Sequence, residues 1–123
     1  MSKYHKYVFD HKNREFVGNF EEMYQAELNE CFDSWHQEDS RQLQRKIDIA
    51  ILENYNFNTI IDIGCGKGSF THLLKRSNNH VLAIDISSTA INIAKERYPD
   101  IEFIQADVNN IAKFEDLLIQ KKN

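Results

Sequence analysis

From residue 59 onward, short apolar runs alternate with glycine-rich or polar breaks and with segments of helical period. Ile60, Ile61 and Ile63 are β-branched, Val81-Leu82-Ala83-Ile84 is continuous, and Ile101-Glu102-Phe103-Ile104-Gln105 forms a third run. Short continuous runs of this kind predict strands buried on both faces. Between them, Phe70, Leu73 and Leu74 predict a short helix from about Ser69 to Arg76, closed by Ser77-Asn78-Asn79. Ser87 or Ser88 can cap the next helix, which turns Ala90, Ile91 and Ala94 to the sheet and must stop at Pro99. Upstream, an amphipathic helix from Asp39 or Ser40 to about Tyr55 carries Leu43, Ile47, Ile51 and Ala50 on one face. Strand, helix, strand, helix, strand implies a parallel sheet with right-handed crossovers. Residues 110–122 fit two readings. Ile111, Phe114, Leu117 and Leu118 suit a helix face, and Phe114 to Ile119 also suits a fourth strand.

Residues 1–38 lack that alternation and hold most of the aromatic side chains, among them Tyr24 and Trp35. We expect them to form an ordered extension or lid beside a domain spanning 39–123, because aromatic burial repays ordering. With 123 residues, the chain has room for one core and no second domain. Its net charge of −4, with no basic cluster beyond Lys121-Lys122, gives a nucleic-acid backbone nothing to bind. No stretch reaches membrane-spanning length, and the start has no signal-like apolar segment. Cys31 and Cys65 are isolated and lack metal-ligand spacing, so a reducing cytoplasm and no metal are expected.

Chemistry concentrates in Asp62-Ile63-Gly64-Cys65-Gly66-Lys67-Gly68, which follows the first apolar run and precedes a helical pattern. Glycine allows positive φ and close approach to a ligand. The spacing is D-x-G-x-G-x-G, with Ser69 where a dinucleotide fold wants its third glycine. Asp62 would also repel a pyrophosphate, whereas a ligand with a cationic amino group suits it, with the loop's N–H groups free to take that ligand's carboxylate. Seventeen residues past Gly68, Asp85 ends the second run, where a carboxylate can accept ribose hydroxyls. Asp107 follows the third run and can accept from an adenine amino group, with the Val108 N–H beside it. The plainer alternative makes Asp62 and Asp85 caps or strand stops and Asp107 a turn residue. A reactive Cys65 would need a basic neighbour, and the nearest in sequence is Lys67, read here as a freely moving side chain. Lys67 is not a P-loop lysine either, since the G-x-x-x-x-G-K spacing is absent.

Taken in order, IDIGCGKGSF, AIDIS and FIQADV resemble the first three motifs of the class I S-adenosylmethionine-dependent methyltransferases. The resemblance covers about Thr59 to Val108 and implies that Asp62, Gly64, Cys65, Gly66, Gly68, Asp85, Ile86, Asp107 and Val108 line the cofactor. It implies a Rossmann-like α/β fold whose full sheet has seven strands with the first in the middle. This chain holds the first three or four, so the expectation is a truncated sheet that self-associates through the exposed edge of its first strand. Acceptor groups must then come from the extension. Its segment Phe32 to Gln37, with Met23-Tyr24-Gln25 upstream, loosely resembles the entry of N-methyltransferases acting on sugars, though without their usual proline. The function so implied is methylation of a small polar metabolite, a sugar or sugar-linked group included, with His36 the one candidate base. The alternatives are a non-catalytic module that binds cofactor or a partner chain, and, more remotely, a nicotinamide-dependent oxidoreductase.

Overall fold

The computed structural model describes residues 3–122. Helix α1 (His5–Val8) leads into an antiparallel hairpin of β1 (Phe9–Asp10) and β2 (Glu15–Phe16), and α2 (Phe20–Glu30) follows. After a 3₁₀ turn at Ser34–His36 comes α3 (Leu43–Leu52), and then the alternating part begins. It comprises β3 (Thr59–Ile63), a 3₁₀ turn at Thr71–Leu74, β4 (His80–Asp85), α4 (Ser88–Arg97), β5 (Glu102–Gln105) and α5 (Ile111–Lys122).

The strands β3, β4 and β5 pair in that order and all run parallel. Ile60 lies opposite Val81 and Ile63 opposite Ile84, while Ala83 faces Phe103 across the other ladder. This register brings Asp62, Asp85 and Asp107 to the same end of the sheet, the carboxyl end where parallel α/β sheets place their ligands. The middle strand β4 is buried from Val81 to Asp85, as its unbroken apolar run requires. Helix α4 covers it: Ile91 and Ala94 pack with Val81, Ala83, Ile101 and Phe103, and burying Ile91 alone contributes about 2 kcal/mol. Its neighbour Ala90 faces α2 and packs with Met23 and Tyr24. The Ser87 hydroxyl accepts from the Ala90 N–H at 3.0 Å and caps α4, which ends before Pro99, both as expected.

Four expectations change. Residues 111–122 are helical, which decides between the two readings against a fourth strand. The helix foreseen over 69–76 is a single 3₁₀ turn, and the upstream helix is shorter than 39–55 at both ends. The apolar face of α3 is present but finds little cover, for Leu43 is 71% exposed and Ile51 55%. β3 is an edge of the described sheet, as expected, but Ile61 and Ile63 are about half exposed, where burial on both faces was expected. Among the described residues no helix is long and apolar enough to cross a membrane.

Candidate cofactor site

Strand β3 ends at Ile63 and the chain turns through Gly64, Gly66 and Gly68, all at positive φ (79°, 56° and 80°). A Cβ at Gly64 would meet nothing within 4 Å, so this residue opens onto free space. At Gly66 a Cβ would come to 2.5 Å from Gln37 Oε1 and 2.6 Å from the Tyr24 hydroxyl, and at Gly68 to 2.8 Å from the Phe103 ring. The glycines are therefore required for two purposes, backbone conformation throughout and clearance for neighbouring side chains at the latter two.

Beside the loop lies a cavity of about 760 Å³, within the range of small-molecule sites. Asp62, Gly64, Cys65, Asp85, Ile86, Asp107 and Val108 line it. Gly66 and Gly68 do not: they stand behind the wall, against the extension and against β5. His36, the candidate base, is exposed and outside the wall. The extension adds Phe16, Phe20, Tyr24 and Trp35 to the wall.

The acids differ in state. Asp85 accepts the Gly66 N–H at 2.8 Å on one oxygen and the Ser87 N–H at 2.9 Å on the other. Each oxygen keeps a second lone pair, so Asp85 braces the loop and can still accept hydroxyls. Asp62 accepts from the Thr71 hydroxyl at 2.7 Å. Burial, aided by the charge of Asp85, pushes its carboxyl above the usual range despite that hydrogen bond. Asp107 is exposed and accepts the Asn109 N–H at 2.9 Å, the turn contact of the plainer reading, while remaining on the cavity wall. Cys65 is buried, and burial with the charges of Asp85 and Asp62 pushes its thiol up, which removes it as a nucleophile.

One expectation is overturned. Four of the loop's N–H groups do not await an anion: Gly64 and Cys65 donate to the Ile84 carbonyl, Gly66 to Asp85 and Gly68 to the Cys65 carbonyl. Donors spent on the protein cannot also hold a pyrophosphate, and three carboxylates on the wall would repel one. Arg45, on α3, is the one cation on that wall among the described residues. It donates to the Gln37 carbonyl and makes no ion pair among the described residues.

Lys67 is also unlike its expectation, being buried rather than free. Its ammonium contacts Glu27, lies 3.3 Å from Glu38 and 3.9 Å from Asp33, all in the segment leading to α3. Glu27 in turn accepts the buried Ser34 N–H at 3.1 Å. Glu38 accepts from the Ser69 hydroxyl at 2.8 Å and from Arg97 at 2.9 Å. Burial opposes its charge, but these donors and Lys67 outweigh it and hold the carboxyl at about 2. At the other end of the extension, Glu21 gathers the Ser87, Ser88 and Thr89 hydroxyls and the Thr89 N–H at the start of α4. Against its partial desolvation, those bonds bring Glu21 to about 2. The extension is thus fastened to the glycine loop and to α4, and forms a fixed wall of the cavity. The only sequence signal for Lys67 is a long cation between two glycines in a loop that must pack closely, with three acids available upstream.

Residues 60–119 match the family described as "Methyltransferase domain". The chain is 37% identical over 73 residues to trans-aconitate 2-methyltransferase of Afipia carboxidovorans, a match covering 58% of this chain and 28% of that protein. It is 39% identical over 59 residues to the ubiquinone/menaquinone biosynthesis C-methyltransferase UbiE of Campylobacter jejuni, covering 42% of this chain and 25% of the relative. The chain thus spans about a quarter of the length of the curated relatives it matches. Among solved structures, the plantazolicin methyltransferase BpumL, in complex with a desmethylPZN analog and SAH, shares the fold with a TM-score of 0.56 at 22% identity over 74% of this chain and 37% of its own. The PH0226 protein of Pyrococcus horikoshii superposes with a TM-score of 0.51 at 27% identity over 66% of this chain and 39% of its own. Over residues 60–119 the chain therefore matches a methyltransferase domain, on a fold it shares with solved methyltransferases.

Proposed function

We infer that the cavity binds S-adenosylmethionine and that the chain supplies the cofactor-binding part of an enzyme that methylates a small molecule. The observation that carries this reading is the wall itself: carboxylates at three adjacent strand ends around one cavity, beside a glycine loop with four of its N–H groups engaged by the protein. That set of acceptors suits an adenosyl ligand with a cationic amino group and disfavours a pyrophosphate. Asp85 would hold the ribose hydroxyls with its free lone pairs, and Asp107 and Val108 would take the adenine edge. Asp62 would pair with the amino group, and Arg45 is placed on the same wall to receive the carboxylate that the loop cannot. Ile86 and the Cys65 turn would supply apolar contact.

When bound, the cofactor supplies an electrophilic methyl group on a sulfonium. The chain's own part is alignment, and the fixed extension limits where an acceptor can sit. His36 lies off the wall, so no general base is assigned to this chain. The sugar acceptor suggested by residues 23–37 remains a proposal on the resemblance alone, and the cavity favours another class, developed below. The open edge of β3 supports self-association. Sedimentation showing only monomer at high micromolar concentration would remove that part of the reading.

Titration calorimetry with S-adenosylhomocysteine and with NAD tests the cofactor assignment. The first should bind and the second should not. Asp85→Ala should weaken the first by about tenfold or more, from lost hydrogen bonds worth about 1–3 kcal/mol. Unchanged affinity in a folded variant, or preference for NAD, would overturn it.

A further inference from the structure

The part of the cavity wall that the extension supplies is aromatic. Phe16 and Trp35 line it at 68% and 41% exposure, with Val17 between the hairpin and the loop side also exposed. The rings form one cluster: Phe16 to Phe20 is 6.1 Å, Phe20 to Trp35 6.0 Å and Trp35 to Tyr4 5.0 Å between centroids. Large exposed rings that share a cavity with a cofactor site are surface kept open at a cost in hydration.

Trp35 is presented by unusual backbone. It and His36 are consecutive non-glycine residues in the left-handed region, at φ 54° and 55°. For a bulky residue this conformation is strained and persists only where surrounding contacts impose it. Those contacts are present. The Trp35 carbonyl accepts from the Gln42 side chain at 3.0 Å, and the preceding Ser34 N–H is held by Glu27, itself fastened to Lys67. The network that docks the extension therefore also aims the indole at the cavity.

The polar groups on this side are few and partly paired: the Gln37 amide donates to the Tyr24 hydroxyl at 3.0 Å, and Arg45 donates to the Gln37 carbonyl. A ligand rich in hydroxyls gains nothing from the rings, while a flat conjugated ring would stack on or against the aromatic cluster. Resting on the methyltransferase reading, we propose that Phe16, Phe20 and Trp35 form the acceptor subsite and that the acceptor is a planar aromatic or heteroaromatic molecule in preference to a sugar. These residues line the same cavity as the three acids, so one cavity would hold both cofactor and acceptor.

The chain has a single tryptophan, so the indole N–H resonance of ¹⁵N-labelled protein reports on this subsite alone. The protein is titrated with 2-naphthol and with glucosamine, each with and without saturating S-adenosylhomocysteine. Naphthol should shift the resonance saturably in both states and glucosamine should not. Phe16→Ala, which removes an exposed ring, should weaken naphthol about fivefold. Absence of a saturable naphthol shift, an equal or larger response to glucosamine, or naphthol affinity unchanged in Phe16→Ala would overturn the proposal. S-adenosylhomocysteine binding without naphthol binding defeats the acceptor subsite alone. Naphthol binding without S-adenosylhomocysteine binding defeats the cofactor reading alone.

Discussion

Replacing Lys67 with methionine should unfasten the extension from the glycine loop, and the size of the effect can be worked from its surroundings. The Lys67 and Glu27 side chains are 7% and 6% exposed, so removing the ammonium leaves Glu27 as a buried carboxylate without its cation. Breaking such a pair from one side costs about 3–5 kcal/mol; Glu38 is more exposed and keeps Ser69 and Arg97, so it adds little, while the buried Asp33 Oδ1 loses its nearest cation and adds to the cost. Against a total stability of about 5–15 kcal/mol this is a large share. Urea unfolding at pH 7 is the assay. With m of about 1–3 kcal/mol per molar, the midpoint should fall by about 2 M.

The second arm is a double-mutant cycle. Glu27→Gln keeps an oxygen that can accept from the Ser34 N–H but carries no charge. In the Lys67→Met background it should therefore restore about 1–3 kcal/mol. Tryptophan emission adds location, because Trp35 lies in the segment that Lys67 holds; its transition should move ahead of the helical signal in the single variant. A midpoint shift below about 0.5 M, or strictly additive effects in the cycle, would refute the claim that this network fixes the cavity wall.

Two further outcomes follow from the carboxylates. Asp62 is held above its ordinary range by burial, so its charge costs the folded state stability once pH exceeds the unfolded value of 3.8. Asp62→Asn should leave stability at pH 7 equal or higher, yet weaken S-adenosylhomocysteine about tenfold or more; a destabilised variant with intact binding would contradict both halves. Glu21 and Glu38 have the opposite sign: their contribution is complete above 4.5 and is lost as pH falls toward about 2. Discounted for their exposure, each is worth about 1 kcal/mol. The urea midpoint should drop over that window in the wild type and drop less in the Glu21→Gln/Glu38→Gln variant, and equal falls would disprove the assignment.

Local signals were readable where one residue type had a single physical use. The β-branched and continuous apolar runs gave β3, β4 and β5 within a residue or two, and Ser87 with Pro99 bounded α4. Helical period alone was less informative. It found the apolar face of α3 without saying what covers it, and it could not separate helix from strand over 111–119 until the structure showed α5.

Contacts distant in sequence were not readable at all. Lys67 meets Glu27 forty residues upstream, and Glu21 reaches Thr89 sixty-eight residues downstream, with no periodicity to announce either. The same limit explains the error over the loop. Motif spacing identified which residues turn at the end of β3, but where their N–H groups point depends on β4, whose Ile84 carbonyl and Asp85 carboxylate consume the Gly64, Cys65 and Gly66 donors. A glycine motif thus specifies backbone shape and leaves its ligand preference to the neighbouring strand. In this chain that strand supplies an acid, which takes the Gly66 donor and, on the reading proposed above, offers its remaining lone pairs to ligand hydroxyls.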